Sequence, residues 1–335
     1  MPKNFLTTAD WSRLELEALL ADARALKASP HQKRLEGKSI ALVFYNPSLR
    51  TRTSFQVGAH QLGAQAVVLD AAGTWPVEFS DGAVMDGDPE EHAKEAARVL
   101  SRYVDLICIR AFPKFKNWAE EREDPMLSAF AKYATVPIIN METIVHPCQE
   151  LAMLLALQEA HGDLDGKKFV MTWTYHPKPL NTAVANSAIL AATKMGMDVT
   201  LLCPTKDYLL DERYMDAGAQ FAKENGRSFS VTHDIAEAYQ GADAVYAKSW
   251  GPLPLLGNVP AQQEMSAPFK HFIVDEEKMA MTNNATFSHC LPMRRNVKAT
   301  DAVADSPRSL IIDEAENRLH VQKAVMSAVL KGLPQ

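Results

Sequence analysis

Apolar positions along this chain form short continuous runs, and between them lie stretches with helical spacing. The most informative run is Ser39-Ile40-Ala41-Leu42-Val43-Phe44-Tyr45, which carries no charge, as a strand buried on both faces of a parallel sheet requires. It passes through Asn46-Pro47-Ser48, a turn and N-cap signal, into a predicted helix. Further strands are predicted over 65–69, 105–109, 136–140, 168–173, 198–202, 229–231 and 244–246. Helices are predicted from a cap at Thr8 or Asp10 to about Lys27, with Trp11, Leu16, Leu19, Leu20 and Leu26 on the apolar side, and over 89–103, 117–133, 149–161, 181–195, 209–224 and 314–331. Residues 71–88 read as a loop rich in Gly and Asp, and 251–270 as a loop because of four prolines. This alternation predicts an α/β chain of doubly wound parallel sheets, whose ligands sit at the carboxyl ends of strands.

Length changes the picture from one sheet to two. At 335 residues the chain exceeds one compact core of usual size, so two domains are expected. A 47% hydrophobic and 23% charged composition fits a globular protein, and a net charge of −6 argues against a nucleic-acid surface. No run is long and apolar enough to cross a membrane, and the amino terminus lacks an apolar signal region. Cys108, Cys148, Cys203 and Cys290 stand far apart, which implies reduced thiols, neither a zinc site nor a disulfide framework, and a cytoplasmic location.

Candidate chemistry concentrates where the first strand meets its helix. Ser48, Arg50, Thr51, Arg52 and Thr53 stand at a helix N-terminus, where amide groups and the dipole favour an anion. Two arginines and three hydroxyls suit a phosphate, and an ordinary capped helix with solvated arginines is the other reading.

Ser48-Leu49-Arg50-Thr51 followed by Arg52-Thr53-Ser54-Phe55 resembles the carbamoyl-phosphate signature of the transcarbamylase family. His146-Pro147-Cys148-Gln149 and His289-Cys290-Leu291-Pro292 resemble two further signatures of that family, in order and at its distances. The resemblance covers nearly the whole chain and is nearest to the N-acetylornithine branch. It implies a carbamoyl-phosphate-binding domain over 1–150, joined by a C-terminal helix over 314–335, and an acetylornithine-binding domain over 151–313 with a knotted backbone. It also implies transfer of a carbamoyl group to N-acetyl-L-ornithine in arginine biosynthesis, with no metal and no cofactor, by a homotrimer with shared active sites.

By the same resemblance, Ser48, Leu49, Arg50 and Thr51 hold the phosphate, and Arg110 and His146 reach the carbamoyl oxygen. Gln149, beside Pro147 and Cys148, holds the carbamoyl amide, Leu291 turns its carbonyl to the amino group, and Arg318 adds a contact. Trp75 matches a residue that reaches an adjacent subunit's site. Cys290 could act as a nucleophile, but its neighbour His289 points the opposite way on an extended segment, so Cys290 reads as lining the site.

For the acceptor, Glu142, Lys248 and Lys298 match substrate-side positions of that branch, with a surface ion pair as the alternative for Glu142 and Lys298. Where ornithine enzymes carry Ser-Met-Gly, this chain has Ser249-Trp250-Gly251, with Trp250 in place of methionine and a cation, Lys248, entering just before it. A lysine repels a free α-ammonium and pairs with an α-carboxylate, which fits an N-acylated substrate. Lys298 matches a lysine that is carboxylated in the branch. Glu90 stands where a related N-succinylornithine branch has proline, and its carboxylate would repel a succinyl tail, provided the register holds with Pro89 one place earlier. Plain ornithine transfer and a catalytically silent sensor of carbamoyl phosphate or an amino acid are the remaining alternatives.

Overall fold

The computed structural model describes residues 3–70 and 76–333. The chain divides into two compact units: one of Met1–Lys114, Ala119–Cys148 and Asn317–Gln335, the other of Phe115–Trp118 and Gln149–Glu316. Two helices, Pro147–His161 and Ile311–Lys331, start in one unit and end in the other.

The first unit contains β1 (Ser39–Phe44), β2 (Gln65–Asp70), β3 (Val77–Glu78), β4 (Glu91–His92), β5 (Leu106–Arg110) and β6 (Ile138–Glu142). Four of them form a parallel sheet in the order β2-β1-β5-β6, and β3 pairs with β4. β1 and β5 are buried along almost their whole length, as the apolar runs 40–44 and 106–109 require, whereas β2 alternates at the sheet edge. Helix Leu49–Gln61 follows β1 directly, capped by Ser48, whose hydroxyl accepts from the Thr51 amide at 3.1 Å.

Several boundaries differ from the sequence expectation. The first helix is Arg13–Ala28, capped by Ser12 rather than Thr8 or Asp10, because Ser12 and Glu15 satisfy each other's backbone amides in a capping box. Trp11 precedes that helix and packs edge-on against Phe5. The helix expected over 89–103 begins only at Ala93, since Glu91 and His92 are drawn into parallel pairing with β3 and His92 becomes the cap. The helix expected over 117–133 breaks into Trp118–Glu121 and Pro125–Tyr133, with Asp124 at φ 49°, because the residue before a proline avoids the helical region. The helix expected from 149 starts at Pro147, where a proline's missing amide costs nothing.

The second unit contains β7 (Lys168–Trp173), β8 (Asp198–Leu202), β9 (Phe229–Thr232), β10 (Ala244–Lys248) and β11 (Thr286–Ser288), all parallel, in the order β11-β10-β7-β8-β9. The stretch 251–270 is not simply loop: helix Val259–Ser266 forms there, its amides capped by the Asn258 side chain and Pro260 in its first turn.

Both sheets reverse direction at their first strand. The chain leaves β1 toward β2 and returns on the other side as β5, and it leaves β7 toward β8 and returns as β10. Ligand crevices of doubly wound sheets form outside the carboxyl ends of the strands that flank such a switch. Phe44 faces Arg110 in register at the first switch, and Trp173 faces Lys248 at the second.

Candidate active site

In the first unit, the residues after β1 build an N-terminal helix turn whose early amides have no intrahelical acceptor. Thr51 is fully buried there, and its hydroxyl oxygen accepts from the Arg318 guanidinium at 2.5 Å. Burial lowers the Arg318 pKa; Glu142 and Cys148 oppose that shift, and Arg110 and Arg50 add to it. Three guanidiniums and one carboxylate thus act on one another around this turn, an excess of positive charge suited to an anion.

Arg110 ends β5, stacks over the Phe112 ring at 4.6 Å, and donates to the Glu142 carboxylate. Glu142 ends β6, and one of its oxygens lies 3.2 Å from His146 Nε2. The buried carboxylate therefore holds Arg110 and His146 together, the two groups expected at a carbamoyl oxygen. This is not the surface ion pair considered for Glu142, and its named partners, Arg110 and His146, both belong to the first unit. Arg52, by contrast, pairs with Asp70 and lies over the Phe44 ring.

Pro147 and Cys148 open the next helix, and burial, with some help from Cys148, raises the Cys108 pKa well above the usual thiol range. One residue on, and already in the second unit, Gln149 is buried and donates its side-chain amide to Glu314.

In the second unit, Lys248 ends β10 and its ammonium lies 3.4 Å from Cys290 Sγ. His289 turns elsewhere: its Nδ1 accepts from the Leu291 amide at 2.9 Å and its Nε2 lies 3.3 Å from Lys298 Nζ. Cys290 therefore faces a lysine, not a histidine base. Leu291 holds φ 53°, a left-handed conformation costly for a branched residue, and its peptide bond to Pro292 is cis.

Lys298 is 1% exposed, which sets aside a surface ion pair. Burial first, then Lys248, with Cys290 opposing and Arg294 adding, bring its pKa down to about 7. His176, after β7, accepts at Nε2 from the Arg294 guanidinium at 3.1 Å and meets the Lys178 carbonyl through Nδ1 at 2.6 Å. Burial first, against the Lys178 carbonyl, and then Lys298, Arg294 and Lys248 lower the His176 pKa to about 4, so this ring is neutral. His176 and Arg294 were not among the sequence candidates. A histidine before proline and an arginine beside another carry no local signal, and only the fold brings them to Lys248. Trp250 is a core anchor, donating its indole N–H to the Tyr208 carbonyl at 2.8 Å.

Glu90 is exposed just ahead of β4. Trp75 lies outside the described residues.

The family model for the aspartate/ornithine carbamoyltransferase carbamoyl-P binding domain matches residues 3–159, and that for the Asp/Orn binding domain matches residues 168–329. The chain is 66% identical over 331 residues to the N-acetylornithine carbamoyltransferase of Xanthomonas campestris pv. campestris, covering 98% of each. The crystal structure of acetylornithine transcarbamylase complexed with acetylcitrulline superposes with a TM-score of 0.97 at 65% identity, covering 99% of this chain and 100% of that one. A glutamate-to-proline variant of N-acetyl-L-ornithine transcarbamylase, complexed with carbamyl phosphate and N-succinyl-L-norvaline, gives a TM-score of 0.96 at 66% identity, covering 98% and 99%. With both domain models matched in order and at these identities, the chain belongs to the aspartate/ornithine carbamoyltransferase family.

Proposed function

We propose that this chain transfers the carbamoyl group of carbamoyl phosphate to the δ-amine of N-acetyl-L-ornithine, giving N-acetyl-L-citrulline and phosphate. The observation that carries the acceptor assignment is the pair of cations Lys248 and Arg294 beside partly charged Lys298 and neutral His176, with no carboxylate among the described groups that shift Lys298 or His176. Such a set attracts an α-carboxylate and rejects a free α-ammonium, so the α-nitrogen of the substrate must be acylated. The 66% identity to a relative named for N-acetylornithine supports the acetyl form.

In this reading Ser48, Leu49, Arg50 and Thr51 hold the phosphate by backbone amides and charge-assisted bonds. Thr51, Arg110 and His146 polarise the carbamoyl oxygen, Gln149 holds the carbamoyl amide, and Cys290 and Leu291 line the site. Glu142 fixes the two oxygen-facing groups. The neutral δ-amine attacks the carbonyl carbon, negative charge builds on the oxygen, and phosphate leaves; preorganised donors stabilise that charge without reorganising. Arg318 keeps Thr51 in register by donating to its oxygen, which leaves the hydroxyl proton for the substrate.

Lys298, neutral in part near pH 7, is chemically able to add carbon dioxide as a carbamate with loss of a proton, which would place a negative charge beside Lys248 and Arg294. Glu90 and Trp75 are assigned to acyl selection and to a neighbouring subunit's site in a homotrimer. The solved glutamate-to-proline relative with a succinylated ligand is in keeping with an acidic side chain as the discriminator.

The test is citrulline-type product formation from carbamoyl phosphate with ornithine, N-acetylornithine and N-succinylornithine in parallel. Turnover with N-acetylornithine is expected, and Lys248→Met should raise its KM with the carbamoyl-phosphate KM unchanged. Preference for N-succinylornithine overturns the role of Glu90, and turnover of none of the three overturns the assignment.

A further inference from the structure

We infer that Glu314 is a positioning residue that fixes which end of the Gln149 amide meets the carbamoyl group, an inference that rests on the reading of Gln149 proposed above. Glu314 is fully buried near the start of helix Ile311–Lys331. Its carboxylate accepts from the Gln149 side-chain amide, from the Tyr246 hydroxyl at 2.7 Å and from the Ser288 hydroxyl. Tyr246 on β10 and Ser288 on β11 are register partners on adjacent parallel strands, so their hydroxyls reach the same carboxylate from one face of the sheet.

A glutamine amide has two ends of similar size and opposite hydrogen-bonding sense. With Tyr246 and Ser288 donating to it, the Glu314 carboxyl group acts as an acceptor, so it selects the orientation in which Gln149 Nε2 faces it and disfavours the flipped one. That choice leaves Gln149 Oε1 buried with no hydrogen-bond partner among the described residues. An unmet buried acceptor is costly until a donor arrives, and the donor it fits is the NH2 of a carbamoyl group. A methyl group in the same place offers nothing. Glu314 thereby converts a side chain of ambiguous polarity into a dedicated reader of carbamoyl against acyl phosphates, with Tyr246 and Ser288 holding the carboxylate in place.

The test compares carbamoyl phosphate with acetyl phosphate, which has methyl in place of NH2, by calorimetric binding to the full-length protein. Glu314→Ala is expected to reduce the preference for carbamoyl phosphate roughly tenfold, with acetyl phosphate affinity little changed. Glu314→Asp, which keeps a carboxylate but withdraws it by one methylene from Gln149, Tyr246 and Ser288 alike, should lose part of that preference and serves if the alanine variant does not fold. Glu314→Gln should retain most of it, because its own oxygen can face Gln149 and Tyr246 while its NH2 donates to Ser288. A folded Glu314→Ala or Glu314→Asp protein with the native ratio of affinities overturns the inference. Gln149→Ala separates the two layers: if that variant keeps the native ratio, the reading of Gln149 itself fails; if it loses the ratio while the Glu314 variants keep it, only the positioning role fails.

Discussion

Replacing Lys298 by methionine puts the electrostatics of the second unit to a direct test. The side chain is buried to 1% exposure, and burial together with Lys248 lowers its pKa from 10.5 to about 7. A drop of that size corresponds to about 5 kcal/mol against the charged form. Below pH 7 the folded chain carries that charge and bears the whole cost. Between pH 7 and 10.5 the folded lysine is neutral while the unfolded one still holds its proton, so stability rises with pH across this window. Lys298→Met removes the charge at every pH but also loses the contact with His289. The variant should therefore be more stable than the native chain by about 2–3 kcal/mol near pH 6 and less stable by about 1–2 kcal/mol near pH 10, a swing of about 4 kcal/mol. Urea denaturation in bicarbonate-free buffer at the two pH values measures this. A variant less stable than native near pH 6, or a difference that does not change with pH, would refute the reasoning. Adding bicarbonate should stabilise the native protein and not the variant, since a carbamate forms on the folded state only.

Other outcomes follow from the same geometry. Arg50→Ala should lose phosphate binding and turnover together, by roughly 3 kcal/mol in kcat/KM, and near-native steady-state kinetics would remove Arg50 from the machinery. Gly257→Ala should destabilise the chain by about 1–3 kcal/mol, because φ is +82° and a Cβ would stand 2.9 Å from the Phe115 carbonyl oxygen; thermal unfolding reads this, and an unchanged midpoint counts against it.

Much of the structure around Arg50 was readable because it is local. The charge-free run of β1, the turn at Asn46-Pro47 and the Ser48 cap are consecutive, so strand, anion turn and arginines follow from neighbours in the chain. The boundaries that went astray were decided at a distance or by competition. Glu91 and His92 look like a helix opening until β3 offers them a strand to pair with. Proline-rich 251–270 looks like loop, yet a proline in the first turn is no obstacle once Asn258 supplies the cap. The acceptor-side cluster was only half legible. Lys248 stood out as a cation beside the Ser249-Trp250-Gly251 stretch, whereas Arg294 and His176, 118 residues apart, meet only because β11 and β7 flank β10 in the sheet. Glu314 carried no signal at all, since a glutamate in the first turn of a helix is what the dipole favours anyway.

The reversal of strand order at β1 and again at β7 has a consequence for how such a chain changes over time. Each sheet opens its own crevice, one carrying the arginines after β1 and β5, the other carrying Lys248, His176 and Arg294 after β10, β7 and β11. Under the proposed function, a change of amino-acid acceptor would therefore need substitutions only in the loops of the second sheet, with the residues after β1 and β5 left as they are.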